Sequence, residues 1–149
     1  MSSRDLAVWG ALVLAIASGA VGLFGAARWY LAAPSREFWV ALRAAQALAF
    51  VYAALAGILA AANRHPSNDL FYLYALLPIA VGFVAEQLRL VAADQVLANR
   101  ELEDAQQVGT LPEAEQHEVV LAILRREMGV MAAAALVVCF LALRAAGTY

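Results

Sequence analysis

The chain has 149 residues, 64% of them hydrophobic and 15% charged, with a formal net charge of −2. A soluble domain is about half apolar and about a quarter charged, so this composition is that of a membrane protein, with length for one compact domain. The near-neutral charge excludes a nucleic-acid footprint, and the single cysteine, Cys139, excludes an intrachain disulfide and the chemistry of paired thiols.

A bilayer core of about 30 Å is crossed by roughly 20 apolar residues in helix. Four stretches meet that length, at about 6–27, 38–62, 70–93 and 127–146. The first, "LAVWGALVLAIASGAVGLFGAA", is longer than the roughly 7–15 apolar residues of a cleaved signal peptide and reads as a retained span. "AAPSREF" and "NRHPSND" are short links with turn and helix-start residues, so successive helices are expected to be antiparallel neighbours.

The third link, about 94–126, is polar yet lacks loop residues until "VGTLPEAE". Helix three is therefore expected to continue to about Gln107. Helix four is expected to start near Leu111, with Thr110 and Glu113 as a capping box and Pro112 in the first turn. Together they would form a helical hairpin outside the membrane. The expected fold is an all-α, antiparallel four-helix transmembrane bundle carrying this cytoplasmic hairpin. Arg28, Arg36, Arg89, Arg100, Arg125 and Arg126 gather at the hairpin end, and Arg4, Arg64 and Arg144 at the other. The positive-inside rule then places both termini outside. Trp29, Tyr30, Phe38 and Trp39 fit the inner interface, and Trp9, Phe71, Tyr72 and Tyr149 the outer one.

Helix two carries Ala41, Ala45, Ala49, Ala53, Gly57 and Ala61 at every fourth position, and helix one carries Ser18, Gly22 and Ala26. Small residues let membrane helices approach closely, within one bundle or between subunits. Pro78, followed by Gly82, is a candidate kink in helix three.

The intramembrane polar groups fall at one level. Arg43, Gln46, Glu86, Arg89, Arg126 and Glu127 all belong to the inner third of the spans when counted at 1.5 Å per residue. Charges in a span turn inward and find partners. Arg43 with Glu86 and Arg89 with Glu127 are the expected pairs, and Arg125 and Arg126 can instead reach lipid phosphates. The same groups read first as a belt that keeps the helices in register, and otherwise as part of a ligand or ion path. On the hairpin, Glu101, Glu103, Asp104, Glu113 and Glu115 form an acidic surface that suits a solvated helix or a basic partner. His65 and His117 lie at opposite ends of the spans and cannot share a haem. No nucleophile elbow, phosphate loop or zinc-protease pattern occurs.

At "NDLFYLYALLP" the chain resembles a group of uncharacterised small four-span bacterial integral membrane proteins, whose pattern here is Asp-Leu-His-Tyr-Leu-Tyr-Gly. Phe71 stands in place of the His and Ala75 in place of the Gly. The likeness extends loosely to "RREMGVM" and "LALRAAGT". It implies a four-span fold and a bacterial plasma membrane, and no activity.

These readings lead to a multi-pass, non-enzymatic structural or accessory protein that packs with itself or with a membrane partner. No catalytic, metal or cofactor-binding residues are expected and no cofactor. The alternatives are an oligomeric small-solute or ion transporter that uses the charged cluster, and a quinone-binding redox protein.

Overall fold

The computed structural model describes residues 1–149. It is all helix: α1 Ser3–Tyr30, α2 Arg36–Ala61, α3 Leu70–Ala98, the single turn α4 Ala105–Val108, and α5 Glu113–Ala146. The four long helices are each long and apolar enough to cross a membrane.

Local chemistry starts and stops them. The Ser2 hydroxyl caps α1 by accepting from the Asp5 amide, and the Asp5 carboxylate accepts in return from the Ser2 amide, a reciprocal capping box. Ser35 Oγ accepts from the Phe38 amide at 3.2 Å to open α2. Asn68 Oδ1 accepts from the Leu70 amide at 3.0 Å where α3 begins. Ala32 and Asn63, at φ 50° and 55°, take the left-handed conformation just after α1 and α2 and turn the chain out of the helix.

The hairpin differs from the sequence expectation. α3 ends at Ala98, well before Gln107. Glu101 sits at φ 58°, and the Leu102 amide donates back to the Leu97 carbonyl at 3.0 Å. This closure satisfies the last carbonyls of α3, so the helix stops without a glycine or proline to announce it. Asp104 then caps the short α4 by accepting from the Gln107 amide at 3.0 Å. The Thr110–Glu113 capping box does not form. Pro112 occupies the N-cap position of α5, and the Thr110 hydroxyl donates instead to the Gln107 carbonyl at 2.6 Å.

α5 is the hub, packing most extensively against α1 and α3, while α2 rests more lightly on α1 and α3. Gly19 faces Cys139, Gly22 faces Leu136, Gly25 faces Ala132, and Trp29 faces Gly129, so positions fall along α5 as they rise along α1. Much of the interior is alanine, with Ala7, Ala11 and Ala15 of α1 and Ala132, Ala135, Ala142 and Ala145 of α5 all buried. Small faces of this kind let backbones come close and gain dispersion contacts where no hydrophobic drive exists between helices.

The buried side chains fall into two clusters. One, near the chain termini, centres on Leu14, Tyr52, Phe71 and Ala142. The other, toward the hairpin, centres on Phe38, Leu42, Met128 and Met131. Phe38 and Phe71, placed at the interfaces by sequence, are core residues with 0% exposure. Phe71 is held edge-on by Tyr52, Tyr72 and Tyr149, with ring centroids 6.4, 5.5 and 4.8 Å away. The alanine stripe of α2 is divided: Ala45, Ala49 and Ala53 are buried, Ala41 is half-buried, and Gly57 and Ala61 are exposed.

Candidate functional site

Between the two core clusters the packing breaks. A cleft of about 300 Å³ runs between α2 and α3, with α5 and Ser18 of α1 behind it. Its cause is local. Pro78 and Gly82 on α3, and Ala45 and Ala49 on α2, contribute little bulk where the helices face each other. A Cβ built on Gly82 meets nothing within 4 Å. The walls are apolar, with Leu42, Met131, Ala135 and Val138 among them, and exposed Phe50 and Phe83 frame the lip. Arg43, Gln46 and Glu86 line one end.

That polar end is a closed network. Arg43 Nη1 donates to both Glu86 Oε1 and Gln46 Oε1, the second at 2.7 Å. Gln46 Nε2 donates to the same Glu86 oxygen at 3.3 Å. Arg89 Nε stands 3.2 Å from Glu86 Oε2, one turn along α3, though its N–H does not point at that oxygen. The Arg89 guanidinium lies 5.4 Å from the centre of the Trp39 ring on α2. Glu86 is thus shared by two arginines from different helices, and it fixes the height of α2 against α3 through charge-assisted hydrogen bonds.

The structure brings Arg43, Gln46, Glu86 and Arg89 into contact; Arg126 touches none of them, and Glu127 lies near enough to act on Arg89 and Glu86 through its charge without pairing with either. No Arg89–Glu127 ion pair forms; Arg89 turns toward α2 instead of α5, where the Trp39 face receives it. Arg126 donates to Gln95 Oε1 at 3.0 Å. Arg125 covers the Trp29 ring at 5.3 Å and donates to the Trp29 carbonyl at 3.0 Å, which ties α5 to the end of α1. Pro78 is buried inside α3 and lines the cleft.

The acidic hairpin residues are exposed and partly occupied with local structure. Glu101 adopts the turn that ends α3, Asp104 caps α4, and Glu113 and Glu115 lie in the first turn of α5, where the helix dipole favours them. The Glu103 amide donates to Gln107 Oε1 at 2.9 Å. His65 lies 3.5 Å from the Tyr72 hydroxyl in the α2–α3 turn, at the other end of the bundle from His117.

The kink residue Pro78 marked where space opens beside the polar groups, while the extent of the cleft and the Trp39 stack on Arg89 went unread. The only signal for that extent was the run of bulk-poor positions on two facing helices, Ala45 and Ala49 against Pro78 and Gly82. Trp39 and Arg89 carried no signal, because nothing local sets the rotation of α2 against α3. No protein-family model matches the chain, and no curated protein or solved structure is detectably similar to it.

Proposed function

We propose that the chain is an antiparallel four-helix bundle of the bacterial plasma membrane, with both termini outside and the α3–α5 hairpin in the cytoplasm, acting as a non-enzymatic accessory protein that associates with its own kind. The observation that carries this reading is an uncovered seam on α2. Ala44, Ala47, Val51, Ala54, Ile58 and Ala61 are all exposed and recur at alternating spacings of three and four. This is the spacing with which one helix packs along another. The exposed faces of the other long helices are bulkier, with Trp9, Ile16 and Leu23 on α1, Leu73, Leu76 and Phe83 on α3, and Phe140 and Leu143 on α5. Small lipid-facing residues forgo contacts that a second helix would supply, so α2 gains most from a partner. Its light packing against α1 and α3 fits an interface completed from outside the chain.

The test is native mass in mild detergent and in lipid nanodiscs. An oligomer is expected. Ala54→Phe, at an exposed position, should give monomer at unchanged thermal stability, and Ala54→Cys in a Cys139→Ala background should crosslink between chains. A monomer at every concentration overturns the reading.

A transporter built on the charged cluster is favoured by the cleft itself. Against it stands the distribution of polar groups, which cap one end while apolar walls fill most of the remainder. Unchanged flux in proteoliposomes of Glu86→Gln would remove the cluster from any conduction path.

A further inference from the structure

We propose that the α2–α3 cleft is a lipid site that takes one acyl chain of an anionic phospholipid, with the phosphate held by Arg43. Three features of the cleft point to this ligand, and none of them depends on the oligomeric state.

The first is shape. The space lies between two core clusters, is walled by apolar side chains, and is framed at its lip by Phe50 and Phe83, which are 60% and 66% exposed. A chain of methylenes entering sideways would restore the contacts that the two clusters fail to make with each other. The second is charge confined to one end, as an amphiphile requires; the other polar group on the lining is the Ser18 hydroxyl on the back wall. The third is the kind of hydrogen-bonding capacity left unused there. Both Glu86 oxygens face arginines, and the Gln46 carbonyl oxygen is taken by Arg43. Arg43 makes its protein contacts through Nη1 alone, so Nη2 and Nε remain, on a side chain that is 53% exposed. The end of the cleft therefore offers donors and few free acceptors. That matches the phosphate of a lipid with net negative charge, and not a zwitterionic lipid whose cationic headgroup the arginines would repel.

Arg43 stands about two turns from the hairpin end of α2. Two arginines face Glu86 there, and Glu127 of α5 adds a second carboxylate close enough to act on Arg89 and Glu86 through its charge.

The full chain is reconstituted in nanodiscs of phosphatidylcholine with a minor fraction of phosphatidylglycerol, transferred to detergent, and read by native mass spectrometry. One phosphatidylglycerol per chain is expected to persist, with phosphatidylcholine lost. Gly82→Leu, which adds bulk where a Cβ meets nothing within 4 Å, should reduce retention about tenfold. Arg43→Gln should reduce it by about as much, through loss of a charge-assisted contact. If Arg43→Gln does not fold, Gly82→Leu decides the matter. The proposal is overturned if phosphatidylcholine is retained as readily, if no lipid is retained, or if Gly82→Leu keeps its lipid like the parent.

Discussion

Gly25 stands where α1, α2 and α5 meet, and replacing it with alanine tests how tightly that junction is closed. A Cβ at this position would lie 2.9 Å from Phe38 Cδ2 and 2.9 Å from Ala132 Cβ, and closer still to Phe38 Cε2. Carbon atoms rest at about 3.5–4.0 Å, so each neighbour would have to retreat by more than half an ångström. Neither has an easy route: Phe38 has 0% exposure and Ala132 has 2%, with no rotamer to change. Overpacking of this kind costs about 1–3 kcal/mol, against about 1 kcal/mol that alanine gains over glycine in a helix. A net loss of up to about 2 kcal/mol is expected. Gly57→Ala is the matched control, because a Cβ there meets nothing within 4 Å and only the helix-propensity gain remains. Thermal unfolding in one detergent should therefore rank Gly57→Ala at or above the parent and Gly25→Ala well below it. Equal stability of the two variants would refute the claim that α1 and α5 are held at glycine-limited distance.

Glu86→Gln removes the carboxylate that two arginines share, and a loss of about 1–3 kcal/mol of bundle stability is expected in denaturant titration, with Arg43→Gln in the same background adding little further. Ala32→Gly, at φ 50°, relieves a side chain held in left-handed backbone and should stabilise by about 0.5–1 kcal/mol, read as a raised melting temperature. Tyr149→Ala deletes the ring packed against Phe71 at 4.8 Å and the hydroxyl that donates to the Arg64 carbonyl at 3.4 Å. It should cost about 1–2 kcal/mol and speed amide exchange in the α2–α3 turn. The Asp5 carboxyl is held below its ordinary range, first by the Ser2 backbone amide and then by the Ser2 hydroxyl. A lowered folded-state value means that the cap is at full strength above the ordinary carboxylate range and is lost as pH falls through the folded-state value. Amide exchange at Asp5 and Leu6 should accelerate on that acid side, and Asp5→Asn should abolish the acid-dependent step.

The sequence by itself determined the helices and part of the polar end. Length and apolar content mark each long helix whatever its neighbours do, because hydrophobicity and the cost of an unpaired backbone act residue by residue. Arg43 and Glu86 could be matched from the chain because they are opposite charges at one height on helices joined by a short link. Tertiary structure decided the rest. Whether Arg89 meets Glu127 or Trp39 depends on how far α3 is rotated toward α2, and no local pattern states that angle. Phe71 belongs to the core because Tyr52 and Tyr149 arrive from distant parts of the chain to cover it. The end of α3 at Ala98 was hidden for a related reason: Glu101 adopts left-handed backbone that its residue type does not advertise. The cleft is the clearest case, since an empty space has no residues of its own. It exists because four positions with compact side chains or none, Ala45, Ala49, Pro78 and Gly82, were turned toward one another by the packing of helices around α5.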